Sequence, residues 1–242
     1  MRESTPPELS DLDQLDDDAL TAAIDAAYGP AARGPDEPTT SSAVEMSMIT
    51  SLDGSVAVDG GSRALSNRVD LAVLLRLRHL AAVTLVGAGT VRAEDYVVPA
   101  DPDVHFAVVT TRGGLDWDSP LWRSGHATAV APRSVSVPSH IEAIHAGDTA
   151  VDLPMAISAI AERFATGEAA PIHLEGGPML NAALHELDLI DAVNLTISPT
   201  LVAGDGRRAL HGGAEELRRF RRHHVLAAGD HLLTRWVRDR TC

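Results

Sequence analysis

Ile172-His173-Leu174-Glu175-Gly176-Gly177-Pro178-Met179-Leu180 is the stretch that decides the fold. It reads as a short apolar strand, a Gly-Gly turn and a helix opened by Pro178. Proline fits the first helical position, because the N–H it lacks would find no intrahelical partner there. Two glycines leave bare backbone against which an anion can sit, and the helix N-terminus behind them carries partial positive charge. Glu175 stands where the strand ends, the place at which open α/β sheets put their ligands.

Working outward, residues 81–86 form a continuous apolar run, the pattern of a buried parallel strand. The run closes in Gly87-Ala88-Gly89-Thr90-Val91-Arg92-Ala93-Glu94-Asp95, a second glycine turn leading into a polar segment. Residues 43–50 alternate as a strand, with Val44, Met46 and Met48 on one side, and run into the turn Ser51-Leu52-Asp53-Gly54. Three such strand ends meeting in one crevice make a nucleotide-sized site.

The remaining pattern alternates strands with helices. A second short strand is expected over 55–58, a helix over 67–80, and strands over 106–110, 127–131 and 143–146. A helix over 153–166, ended by Gly167, precedes the central stretch. A helix over 178–187 and a strand over 192–197 follow it, and 225–228 with 231–237 read as a closing hairpin through Gly229-Asp230. This predicts an α/β fold with a mostly parallel central sheet and an antiparallel C-terminal hairpin. The domain begins near Thr39; residues 1–38 form an acidic extension. One helix is expected there over 15–28, with Leu15, Ala19, Ala22, Ala23 and Ala26 on its apolar face.

Composition excludes several classes. The formal net charge of −14 opposes nucleic-acid and anionic-membrane binding. No apolar run is long enough to span a bilayer, and an acidic N-terminus is not a signal peptide. The single cysteine, Cys242, rules out an internal disulfide framework. These features predict a soluble cytoplasmic protein. The chain has no lysine, so Schiff-base, Walker-loop and lysine-base chemistry are impossible.

Other motifs carry less. The turn at 87–89 lacks the third glycine of a dinucleotide fingerprint, because Arg92 stands there. Gly204-Asp205-Gly206-Arg207-Arg208-Ala209 has the letters of that fingerprint without its βαβ setting and reads as a loop. No G-x-S-x-G elbow occurs. His223 and His224 are adjacent, and adjacent strand residues point to opposite faces, which argues against a metal site. The arginines at 218, 219, 221 and 222 read as a solvated or interface face.

Taken together, Ser51-Leu52-Asp53-Gly54, Gly61-Ser62, Leu77-Arg78, Gly87-Ala88-Gly89-Thr90 with Glu94, Glu175-Gly176-Gly177-Pro178, Leu189-Ile190-Asp191 and Ser198-Pro199 resemble one family. It is the reductase domain of bacterial riboflavin biosynthesis, the pyrimidine reductase with a dihydrofolate-reductase-like three-layer fold. The similarity covers about residues 43–237. It implies NADPH as cofactor, held by Thr90, Glu94 and the turn Gly176, Gly177, Pro178, Met179 and Leu180, with Ile49 near the nicotinamide. Gly87 and Gly89 belong to the same cradle. Ser51, Ser62, Arg78 and Glu175 then face a small-molecule substrate, and no metal is implied. Thr110 and Arg112, just past a strand, are our candidates for the 2′-phosphate, because the arginine fork suits phosphate. The family reaction moves a hydride from NADPH to C1′ of a ribosylaminopyrimidine. Glu175 would orient or protonate the substrate, with Asp53 supporting it or serving as the alternative acid. A homodimer through the C-terminal strands is also implied.

Two positions depart from the family pattern. Ser47 and Asp101 stand where members acting in the riboflavin pathway carry a lysine and an arginine near the substrate phosphate. The deaminase domain often fused upstream is not seen. A related enzyme reducing a dihydrofolate-like or other pterin therefore stays open, as does a non-catalytic NADPH-binding protein. A protein that only docks a partner through its C-terminal arginine face is the third alternative.

Overall fold

The computed structural model describes residues 11–32, 42–164 and 170–240. The expected domain start near Thr39, the helix end at Gly167, and Cys242 lie outside the described residues.

The strands are β1 (Val44–Thr50), β2 (Val83–Gly87), β3 (Phe106–Val109), β4 (Ala127–Ala131), β5 (Ala143–His145), β6 (Ile172–Leu174), β7 (Ala192–Ile197), β8 (Phe220–Ala228) and β9 (His231–Arg238). The helices are α1 (Asp17–Tyr28), α2 (Arg68–Leu80), α3 (Ala88–Ala93), α4 (Pro120–Arg123), α5 (Leu153–Phe164) and α6 (Pro178–Glu186). One sheet runs in the order β5-β4-β3-β2-β6-β1-β7-β9-β8. β1 to β7 are mutually parallel, and β9 pairs antiparallel with both β7 and β8. The layered α/β architecture with its antiparallel hairpin is the one expected.

Alternation along each strand divides the core. On one face, Ile157 and Ile160 of α5 and Leu184 of α6 pack on Val44, Met46, Leu85 and Leu174. On the other, Leu121 and Trp122 of α4 pack on Val86, Phe106 and Val108. The adjacent residues Leu85 and Val86 thus serve opposite layers, as period-two geometry requires. A fully buried aliphatic side chain contributes about 1.5–3 kcal/mol by leaving water.

The third cluster joins α1 to α2. Leu20, Ile24 and Tyr28, spaced four apart, meet Val69, Val73, Leu77 and Leu233. Leu15 and Ala23 of the expected face pack against this cluster, whereas Ala19, Ala22 and Ala26 are exposed; the larger residues carry the contact, because alanine has little area to bury. Asp16 caps α1 by accepting the Ala19 N–H at 2.9 Å, and Arg76 grips Asp25 at 2.6 and 2.9 Å. A buried ion pair sits under this layer. Arg235 donates to Glu45 at 2.9 and 3.1 Å and to Asn194 Oδ1 at 2.9 Å, which compensates the removal of both charges from water.

Three local expectations are corrected. Residues 55–58 form no strand, only a bridge between Val58 and Gly61. Their backbone is spent elsewhere: Ser55 exchanges bonds with Ser51, and the Val56 N–H donates to Arg207 O at 3.0 Å. The segment after Gly87 is helical, as α3. A register shift between Arg222 and His224 overturns the opposite-face argument, bringing the Nδ1 atoms of His223 and His224 to 3.0 Å. Burial, then the His223 and Arg235 charges, pushes His224 down to about 4, so it is neutral at pH 7.

Candidate active site

Because β1 to β7 run the same way, the residues that follow β2, β3 and β6 gather along one edge of the sheet. There the two glycine turns touch. The Gly87 N–H donates to Gly176 O at 2.6 Å. Gly176 has φ +85°, a conformation glycine adopts without penalty. A Cβ on Gly177 would fall 2.6 Å from Thr90 Oγ1, so only glycine fits beside this threonine. Above Gly89, a Cβ would meet nothing within 4 Å, which leaves the backbone open to a ligand. α6 begins at this point with Gly177 as its N-cap, Pro178 in its first turn and no side chain capping it. A bare helix N-terminus over glycine backbone is a place for a phosphate.

A cavity of about 1880 Å³ opens over these turns and extends between α2 and the sheet. Gly87, Gly89, Thr90 and Gly177 line it, followed by Pro178, Met179 and Leu180 of α6. Thr110 and Arg112 line the side beyond β3, and Ile49 enters from β1. The Thr110 hydroxyl donates to Gly113 O at 3.1 Å, whereas Arg112 is exposed and makes no ion pair among the described residues. Ser62 and Glu94 also line the cavity, joined by the Ser62 N–H, which donates to Glu94 Oε1 at 2.8 Å.

Glu175 and Arg78 form the charged centre of the wall. The guanidinium donates from Nε to Oε1 at 2.6 Å and from Nη2 to Oε2 at 2.8 Å. The Tyr96 hydroxyl donates to Oε2, and the Arg78 guanidinium lies over the rings of Tyr96 and Phe106 at 5.3 and 5.2 Å. His173 Nε2 is 3.2 Å from Oε1 but is not aligned for a hydrogen bond. Burial alone would raise the Glu175 pKa; the Arg78 charge and its hydrogen bonds outweigh that and hold the carboxyl well below the usual range. Glu175 is therefore a fixed anion at neutral pH, suited to orienting and unsuited to giving up a proton. Burial, then Glu175, pushes the Tyr96 phenol well up.

Ser51, Asp53 and Gly176 do not line the cavity. Asp53 accepts from Ser51 Oγ at 2.5 Å and from the N–H groups of Val202 and Ala203 at 3.2 and 2.7 Å. Those bonds, Ser51 first, bring its pKa down to about 2. Asp53 ties the turn after β1 to the loop after β7; it does not stand ready as an acid. Gly176 acts through its backbone, as the acceptor for Gly87. Tyr96 escaped the sequence reading, although an aromatic residue directly after Glu94-Asp95 was a usable signal. Arg235, Glu45 and Asn194 escaped it too, since 190 residues separate the two ends of that ion pair.

At the departing positions, Ser47 Oγ accepts from Asn194 Nδ2 at 3.3 Å and Asp101 Oδ2 lies 2.7 Å from His79 Nδ1. Both residues line the cavity. No helix among the described residues is long and apolar enough to cross a membrane.

A mostly parallel α/β sheet with an antiparallel C-terminal hairpin, its glycine-lined edge opening on a deep cavity, is a fold of the dihydrofolate-reductase-like class. The chain belongs to the family of the RibD C-terminal domain, whose model matches residues 42–234. It is 28% identical over 176 residues to the 2,5-diamino-6-ribosylamino-4(3H)-pyrimidinone 5′-phosphate reductase of Methanothermobacter thermautotrophicus, covering 67% of this chain and 80% of the relative. A pyrimidine reductase-like protein of Corynebacterium diphtheriae superposes with a TM-score of 0.73 at 19% identity, over 90% of this chain and 98% of its own. The diaminohydroxyphosphoribosylaminopyrimidine deaminase/5-amino-6-(5-phosphoribosylamino)uracil reductase of Thermotoga maritima superposes with 0.67 at 16% identity, over 90% and 60%. At these identities the two structures establish the fold.

Proposed function

We propose that this protein is an NADPH-dependent reductase of a 5-amino-6-ribosylaminopyrimidine 5′-phosphate, acting in riboflavin synthesis. The observation that carries the reading is the meeting of the Gly87 and Gly177 turns beneath a cavity that also holds the Arg78–Glu175 pair. The reductase activities named for the Methanothermobacter and Thermotoga proteins support the reaction class.

The residues fit the cofactor. Gly177 leaves no room for a side chain, Gly89 presents open backbone, and the uncapped start of α6 offers N–H groups to a diphosphate. Arg112 is placed for the 2′-phosphate, and Ile49 offers an apolar surface for the nicotinamide. When bound, NADPH supplies the hydride. The chain's own part is to hold the acceptor carbon in line and keep water away. In this reading Glu175 fixes Arg78, and Arg78 with Ser62 contacts the sugar. Arg63 and Arg207 line the cavity and make no ion pair among the described residues, so they are the cations at hand for the substrate phosphate where Ser47 and Asp101 offer none. A second copy pairs through the exposed edge strand β8 in this reading, with cytoplasmic location as for a soluble biosynthetic enzyme.

One observation favours a second reading. Asp101 faces the cavity where a phosphate would need a cation, which suits an unphosphorylated heterocycle of the pterin type. Loss of NADPH absorbance with the phosphorylated ribosylaminopyrimidine, and none with dihydrofolate, supports the first reading. The reverse pattern installs the second. Binding of NADPH with no turnover on either leaves a non-catalytic binding protein.

A further inference from the structure

The space between α2 and the strands β1 and β7 is closed by Tyr28, the last residue of α1. This residue precedes the 42–234 stretch that the family model matches. Tyr28 is 4% exposed, and its ring stands edge-on to His224, centroids 4.7 Å apart at 87°. It lines the cavity, and its hydroxyl has no hydrogen-bond partner among the described residues. Burial, opposed by the Arg235 charge and reinforced by Asp70, keeps that phenol protonated. The hydroxyl is thus left free to hydrogen-bond a molecule in the cavity in place of water.

Asp70 is the charged group on the same side. It lies in the first turn of α2 and lines the cavity. Ser66 Oγ donates to its Oδ2 at 2.6 Å, which fixes the carboxylate, and Oδ1 takes no donor among the described residues. Val73 and Leu77 supply apolar wall on α2, while Asn194 and Thr196 face them from β7. Apolar faces with polar groups on one rim form the shape of a pocket for a flat ring.

We propose that Tyr28 and Asp70 together recognise the ring edge of the substrate and select a 2-amino-4-oxopyrimidine over the 2,4-dioxo ring. The inference rests on the reductase reading above and deepens it. A carboxylate only accepts hydrogen bonds. The 2-amino-4-oxo ring offers it two adjacent donors, the N3–H and the exocyclic amine. In the 2,4-dioxo ring a carbonyl replaces that amine and turns its lone pairs toward Asp70. The neutral Tyr28 hydroxyl can donate or accept beside either ring, so Asp70 discriminates and Tyr28 adds affinity.

The test uses the full chain with NADPH and both ring forms of 5-amino-6-ribosylaminopyrimidine 5′-phosphate. Binding is read by calorimetry and turnover by NADPH absorbance. The wild type should favour the 2-amino ring by roughly tenfold or more, the worth of a hydrogen bond to a charged group. D70N, whose amide offers both a donor and an acceptor, should bring the ratio to one or invert it. Y28F should raise KM for both rings by about fivefold, the worth of a neutral hydrogen bond, with NADPH affinity unmoved. A wild-type preference under twofold, a preference for the dioxo ring, or an unchanged ratio in D70N overturns the proposal. Reduction of both rings without preference sinks the pocket assignment and leaves the reductase reading standing. Selective binding of the 2-amino ring without reduction does the opposite, and binding of neither ring sinks both.

Discussion

Arg78 and Glu175 share two near-parallel hydrogen bonds, 2.6 and 2.8 Å long, that tie the last turn of α2 to the end of β6. The side chains are 17% and 5% exposed, so little solvent screens the pair. Removing one partner leaves the other charge buried, which costs about 3–5 kcal/mol. E175Q should therefore lose about 3 kcal/mol in urea unfolding and most of its turnover. R78K keeps the charge but not the two-point fork, and should recover less than half of either. Wild-type stability in E175Q would show that the pair is ornamental.

Acid exposes the same carboxylate together with Asp53. Both folded pKa values lie below the unfolded ones, Asp53 at about 2. A depressed carboxyl stabilises the fold above its unfolded pKa, about 4, and loses that contribution as pH falls through the folded value. Between pH 5 and 8 neither group titrates, so no limb of the pH–rate profile in that window belongs to Glu175. D53N should flatten the stability curve between about pH 4 and 2. It should also speed amide exchange at Val202 and Ala203, whose N–H groups it holds. A D53N enzyme with native exchange there and no turnover would restore Asp53 as an acid.

What the sequence made legible was local. The two glycine turns, the alternation of β1 and the Gly229-Asp230 turn between β8 and β9 all carry their signal within ten residues and lie where they are expected, although β8 begins at Phe220 and not at 225. The failures share another property. Asp53 looks like a strand-end acid until the backbone of Val202, 149 residues away, claims its carboxylate. Residues 55–58 alternate like a strand but have no strand to pair with. Tyr28 lies in a helix whose alanines hid its packing stripe, and its place in the cavity depends on α2 and β7. Pairings across such distances leave no periodicity to read.

The glycine cradle offers a sharper test of the cofactor site. Gly177 has φ −75°, and a Cβ there would come within 2.6 Å of Thr90 Oγ1. G177A should weaken NADPH binding at least about tenfold, equivalent to about 1.4 kcal/mol. T90A removes the clashing hydroxyl and leaves Thr90 Cβ at 4.0 Å. In that background the same glycine substitution should cost under about twofold, and the double-mutant cycle isolates the contact. Equal costs in both backgrounds would place the dinucleotide elsewhere.

If the cofactor is NADPH, Arg112 is the residue expected to distinguish it from NADH. It follows β3, lines the cavity beyond the glycine turns, and makes no ion pair among the described residues, although the chain carries a net charge of −14. In the proposed reading this unpaired arginine meets the 2′-phosphate of NADPH. A charge-assisted hydrogen bond is worth about 1.5–3 kcal/mol, so R112A should bind NADPH about 10- to 100-fold less tightly. NADH, which lacks the 2′-phosphate, should bind the variant and the wild type within about twofold, because only the phosphate reaches this side chain. Calorimetry with both dinucleotides reads the difference directly. Parallel losses for NADPH and NADH would remove Arg112 from the 2′-phosphate and assign it to the diphosphate that the two cofactors share.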